Sequence, residues 1–198
     1  MAAKIEIYLL KRAIGAQDHF AASYGGMNIF TFHKNETVSV EPVFCRANVL
    51  DALSKNLMLF YTNIKRDASE ILTVQSAETL KKLDILKGMK NLVMPLSQIL
   101  SKGSNINEVG DILHKGWQLK KSITSEISSA KIDEHYNLAL NAGALGGKLL
   151  GAGGGGFLML YVEPDNQKAV CDALSDLYLL EFKFDTGGTR ITYYDQTI

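Results

Sequence analysis

A run of glycines, Gly151-Ala152-Gly153-Gly154-Gly155-Gly156, is the part of this 198-residue sequence best suited to handling an anion. Consecutive glycines are entropically costly to order. A folded chain therefore needs them for positive φ angles, or for a backbone that comes close to a ligand or another segment. Successive N–H groups in such a loop also form an anion-binding nest. Lys148, just before the run, has the charge to neutralise a phosphate, although a solvated surface lysine is the plainer reading. Arg66 follows an apolar stretch, and its planar fork suits a bidentate grip on phosphate. His19 offers a hydrogen bond to a ligand but reads more simply as a core or surface histidine. Asp18 beside it, taken alone, reads as a turn or cap residue.

Two phosphate-binding motifs are excluded by context. Gly151, Gly153 and Gly156 match the spacing of the dinucleotide fingerprint, but that fingerprint needs a glycine turn opening a helix. Here the strand-like run Phe157 to Val162 follows. No Gly-Lys-Ser or Gly-Lys-Thr occurs, so there is no Walker A loop. A ligand-free glycine hairpin remains open as an alternative.

The wider segment Ala144 to Phe157 closely resembles the third, C-terminal motif of the GHMP small-molecule kinases. Phe60 to Leu72 (FYTNIKRDASEIL) is similar to a segment of the D-glycero-D-manno-heptose 7-phosphate kinases within that superfamily, with fucokinases as cousins. Ile14 to Gly26 (IGAQDHFAASYGG) resembles the same group's catalytic-aspartate region. The three segments stand in the family's order, and the resemblance covers almost the whole chain.

That resemblance implies an α+β fold: a ferredoxin-like β-sheet with helices, the GHMP kinase C-terminal domain, over residues 46–198. Residues 1–45 would be a remnant of the N-terminal domain, holding the aspartate region and a hairpin. It implies a phosphotransferase that moves the γ-phosphoryl group of ATP, with Mg2+, to a sugar hydroxyl, most plausibly of heptose 7-phosphate. Asp18 would take the hydroxyl proton, Arg66 and His19 would contact the substrate, and Lys148 with Gly151, Gly153, Gly154, Gly155 and Gly156 would support the phosphate loop. The family's Gly-Ser-Ser-Ala phosphate loop and its first motif have no counterpart in this sequence; Ser128-Ser129 lies in the wrong region. No magnesium ligand is therefore assigned. The expectation is the C-terminal portion of a kinase, inactive alone, that self-associates or meets a separately encoded N-terminal half. Its rivals are a non-catalytic sugar-phosphate-binding or assembly module and a fucokinase-like fragment.

Bulk properties agree with a globular protein of this kind. With 46% hydrophobic and 21% charged residues the chain can bury a core. Lysines and arginines number 21 against 21 acids, so no basic surplus exists to drive nucleic-acid binding. No apolar run is long enough for a membrane helix, and no signal-peptide core is visible near Met1. Cys45 and Cys171 lack metal or redox spacing and read as buried, reduced thiols of a cytoplasmic protein.

The elements that must position these residues are legible in part. Ile5, Leu9, Leu10 and Ala13 share a face, which predicts a helix over residues 4–13 closed by Gly15. The stretch from Gln17 to the Gly25-Gly26 pair reads as ending in a turn. Met27–Phe32 and Thr37–Val43 predict a hairpin with Asn35 in its turn, and Asn56–Thr62 a buried strand. Residues 70–83 are amphipathic, Pro95 divides or kinks the following segment, and Asn105 is a candidate cap for a helix to Lys120. Ser128 or Ser129 caps another helix reaching Leu140, ended by Asn141 and Gly143. A strand at Phe157–Val162, a helix over residues 166–179 and a closing strand over residues 189–194 complete the expectation.

Overall fold

The computed structural model describes residues 3–12, 14–64, 72 and 80–193. They divide into two compact units, one of residues 1–44 with 183–198 and the other Cys45–Phe182. Residues 183–198 thus group with the first unit.

In the first unit a π-helical turn, Lys4–Leu9, replaces the α-helix expected to reach residue 13. Helix α1 (Gln17–Tyr24) forms where the sequence showed only alternating character before a turn. Its Phe20 stacks edge-on against Phe30 and Phe32, at centroid distances of 6.1 and 5.8 Å. Those rings belong to β1 (Asn28–Phe32), which pairs antiparallel with β2 (Val38–Pro42). The hairpin turn is held by Asn35, whose side-chain oxygen accepts from the Thr37 hydroxyl at 2.7 Å. Thr189 donates its backbone N–H to Ser23 O at 3.1 Å and its hydroxyl to Ala22 O at 3.2 Å, tying the C-terminal segment to carbonyls at the end of α1. Among the described residues no strand forms at 189–193, so the expected closing strand is not there.

The second unit is an antiparallel four-stranded sheet with helices. Helix α2 (Ala47–Asn56), which the sequence did not suggest, leads into β3 (Leu57–Tyr61). After the 3-10 turn Leu80–Lys82 come α3 (Leu83–Asn91), α4 (Val93–Lys102), α5 (Glu108–Lys121), the 3-10 turn Ser125–Ile127 and α6 (Ala130–Asn141). Most of the helix expected over residues 70–83 lies outside the described residues. β4 (Ala144–Leu149) and β5 (Phe157–Val162) form a hairpin, and α7 (Pro164–Ala173) returns the chain to the edge strand β6 (Tyr178–Leu180). The strand order β4-β5-β3-β6 is the ferredoxin-like arrangement, built from two split β-α-β units.

Local chemistry explains most boundaries. Leu92 ends α3 and begins α4, and Pro95 falls in the first turn of α4, where its missing N–H costs no helical bond. Ser129 caps α6 by accepting from Ile132 N–H. Asn105 does not cap α5; that position falls to Asn107. The Asn107 side chain is instead drawn into tertiary bonds, accepting from the Tyr161 hydroxyl at 3.0 Å and donating to Glu163 at 2.6 Å. α7 stops at Ala173, short of residue 179, so Tyr178 and Leu179 are free to pair with β3.

The core lies between the sheet and α5–α7. Phe60, Leu158, Leu160 and Val162 from the strands meet Trp117, Ile132 and Tyr136 from the helices, all essentially inaccessible to water. Cys45 and Cys171 are free thiols, half-buried rather than fully buried.

Candidate active site

Asp18 sits in the first turn of α1, exposed, where the partial positive charge of a helix N-terminus favours a carboxylate. His19 follows it and is half-buried. Its Nε2 lies 3.6 Å from Glu6 Oε2, and its Nδ1 is buried with no hydrogen-bond partner among the described residues. Glu6 belongs to the π-helical turn. Both residues belong to the first unit.

The glycine run belongs to the second unit, as the loop of the β4–β5 hairpin. Leu150 N–H bonds Phe157 O at 2.8 Å, which closes the hairpin below the loop. Above it the loop is pinned on both sides. Gly154 N–H donates to Ile127 O at 2.9 Å, and Gly156 N–H donates to Ile64 O at 3.0 Å. Gly156 O in turn accepts from Thr62, through backbone N–H at 2.9 Å and hydroxyl at 2.8 Å.

The glycines are required by these contacts. Gly153 has φ +120°, and a Cβ there would stand 2.8 Å from Ile127 O. A Cβ on Gly155 would collide with Ile64 O. Two of the loop's donors, Gly154 N–H and Gly156 N–H, are therefore spent on the protein's own carbonyls, which makes the loop a buttress.

The buttress is anchored from beneath. Tyr136 of α6 is 1% exposed, and its hydroxyl lies 2.8 Å from His114 Nδ1 on α5 and 3.4 Å from Gly147 O on β4. Burial pushes the Tyr136 phenol above the ordinary tyrosine range. Lys120 of α5 donates to Gly151 O at 2.5 Å, at the start of the loop. Lys148 lies half-buried on β4, paired in register with Met159. Arg66 lies outside the described residues, two positions beyond the Ile64 carbonyl that the loop grips.

Sequence reasoning missed Thr62, Ile127, Tyr136, His114 and Lys120 as loop anchors.

Residues 96–179 match the family model "GHMP kinases C terminal". They form a GHMP kinase C-terminal domain. The D-glycero-alpha-D-manno-heptose 7-phosphate kinase of Campylobacter jejuni subsp. jejuni is 31% identical over 180 residues, 89% of this chain and 53% of that protein. A galactokinase of Pyrococcus furiosus is 25% identical over 93% of this chain and 58% of its own length. Among solved structures, a D-glycero-D-manno-heptose 1-phosphate kinase from Bacteroides thetaiotaomicron superposes with a TM-score of 0.69 at 27% identity, over 97% of this chain and 54% of that one. The chain thus spans about half the length of these GHMP relatives. Among the described residues no three His, Cys, Asp or Glu side chains group to hold a metal ion, and no helix is long and apolar enough to cross a membrane.

Proposed function

We propose that this chain is the C-terminal portion of a cytoplasmic, ATP-dependent sugar kinase that phosphorylates D-glycero-D-manno-heptose 7-phosphate on a hydroxyl. The observation that carries the reading is the pinned glycine loop, in a chain 31% identical across most of its length to a heptose 7-phosphate kinase. By holding Ile64 O, the loop fixes the backbone two residues before Arg66. In this reading Arg66 grips the 7-phosphate, while Asp18 accepts the proton of the attacking hydroxyl and His19 contacts the sugar.

ATP would supply the phosphoryl group and magnesium would neutralise its charge. Among the described residues no three His, Cys, Asp or Glu side chains group together, and no residue of this chain is assigned as a magnesium ligand. Lys148 and the glycine loop support a triphosphate cradle rather than form it. Transfer depends on donors around the β- and γ-phosphates, so the 198-residue chain alone should show no turnover or very little.

Residues 1–45 are read as a remnant of the N-terminal, nucleotide-binding half. Leu9 at 74% and Phe44 at 72% exposure leave apolar surface on that remnant, which a second copy or a separately encoded N-terminal half would cover. Light scattering should find self-association or capture of such a half; a monodisperse monomer that ignores it would contradict this.

A thermal-shift titration tests substrate binding. A ligand of the native state at 100 times its Kd adds about 2.7 kcal/mol. Heptose 7-phosphate should raise the Tm of the intact chain and fail to do so in Arg66→Met. No shift with the wild type would argue against a substrate site here.

A further inference from the structure

Helix α1, which carries Asp18 and His19, has little of its own to hold it. It spans 8 residues, and Ala16 at its start offers no side-chain cap. A helix that short is marginal in isolation, and its last four carbonyls have no partner within the helix. Gly25 N–H serves Ala21 O at 3.0 Å. The next two carbonyls are both served by Thr189, 167 residues beyond Ala22. Its hydroxyl donates to Ala22 O at 3.2 Å and its backbone N–H to Ser23 O at 3.1 Å.

The segment that brings Thr189 there is built for contact of backbone with backbone. Gly188 has φ +59°, and a Cβ on it would stand 2.5 Å from Ser23 O. A Cβ on Gly25 would collide with Gly188 N, so both sides of the contact require glycine. Gly26 N–H donates to Asp185 O at 2.9 Å, and Asp185 Oδ1 accepts from Gly187 N–H at 2.8 Å, which shapes the turn before Gly188. Gly187 is under no such constraint, since its Cβ would meet nothing nearer than Asp185 Oδ1 at 3.4 Å. All of these residues lie in the first unit.

We infer that Gly188 and Thr189 are positioning residues: docked on the C-terminal carbonyls of α1, they hold Asp18 and His19 in place at its other end. A helix this short forms or frays as a whole, so a cap at one end is felt at the other. The inference rests on the reading of Asp18 as the proton acceptor. Misplacing a reacting group by about 1 Å costs about 100-fold in rate, so a loosened α1 is read in kcat.

The test uses the full chain, alone for hydrogen exchange and, for turnover, mixed with a fragment of the Campylobacter jejuni relative that supplies the part this chain does not span. The Phe20 and Gly25 amides, bonded to Ala16 O and Ala21 O, report α1. The Leu150 amide, bonded to Phe157 O, reports the second unit. Gly188→Ala should speed exchange at Phe20 and Gly25 about tenfold or more and leave Leu150 unchanged. It should lower kcat about 100-fold with the KM for ATP little altered. Gly187→Ala should match wild type in both assays. Thr189→Val replaces the hydroxyl by a methyl and should speed the same amides about fivefold, the scale of one hydrogen bond. It should lower kcat as well, and Thr189→Ser should restore exchange and kcat together. Unchanged exchange in α1 for both Gly188→Ala and Thr189→Val, or equal acceleration at Leu150, overturns the cap. A loosened α1 with kcat unchanged overturns its bearing on Asp18. If Asp18→Asn turns over like wild type in the mixture, the reading of Asp18 fails instead, and the exchange data alone still decide whether residues 185–190 hold α1.

Discussion

Gly156 and Ile64 exchange structure rather than ligand: the Gly156 N–H is bonded to the Ile64 carbonyl at 3.0 Å, beside a Gly155 that admits no side chain. A glycine loop of this kind looks like a phosphate site in sequence. In the fold it is a clamp on the end of β3 and on the turn before α6. Several consequences of that arrangement can be measured.

Gly155→Ala should destabilise the second unit more than Gly151→Ala. The first places a methyl against Ile64 O and breaks a half-buried bond, at about 2 kcal/mol. The second has open space and only its φ of +74° against it, a cost of about 1 kcal/mol. Urea denaturation of the two variants gives the order; equal losses would deny the clamp.

Tyr136→Phe should cost about 1–3 kcal/mol by removing the hydroxyl that serves both His114 and Gly147. Because burial holds this phenol above the usual range, it should stay protonated in the folded protein while exposed tyrosines titrate. Alkaline absorbance titration of wild type and variant should therefore coincide until the chain unfolds.

Asp176 gives the second unit an acid-sensitive contact. His135 is 2% exposed and its Nε2 donates to Asp176 Oδ2 at 2.9 Å, the largest of the effects that hold this carboxyl below the usual range. A depressed folded pKa means that the unfolded chain takes up the proton first as pH falls. The stabilisation is therefore complete above roughly pH 5 and is lost as pH drops through about 4 and below. Asp176→Ala, which strands a buried donor, should cost about 1–3 kcal/mol at pH 7, and the gap from wild type should narrow near pH 3. Asp176→Asn keeps an acceptor and should cost about 1 kcal/mol or less. A gap that does not depend on pH would contradict the assignment.

Asp18→Asn, assayed with the rest of the kinase supplied, should lower kcat by about 10²–10⁴-fold with little change in KM, the scale of a lost general base. Asp18 is exposed, so stability should change by no more than the helix-dipole contribution of about 0.3–1 kcal/mol. Steady-state kinetics and thermal unfolding separate the two effects.

The β-hairpin of the first unit, β3, β5 and a cap at Ser128 or Ser129 were legible because each rests on local pattern, while the division signalled by Pro95 falls three residues earlier, at Leu92. β4 was not, since Gly146 and Gly147 depress strand propensity; they are present because a Cβ on Gly146 would strike Gly110 O of α5. α1 was hidden because its anchoring is aromatic, through Phe20, rather than periodic. The family was readable from three motifs. The loop's duty as a clamp was not, because its partners Ile64 and Ile127 lie about 30 to 90 residues away and act through backbone carbonyls, which side-chain identity does not reveal.

The central claim is tested most directly by ATP-dependent phosphorylation of D-glycero-D-manno-heptose 7-phosphate. The purified 198-residue chain would be assayed alone and together with a fragment of the Campylobacter jejuni relative that supplies the part this chain does not span. Phosphoryl transfer should appear only in the mixture and disappear with Asp18→Asn. Robust turnover by the chain alone, or turnover in the mixture that Asp18→Asn leaves unchanged, would contradict the account.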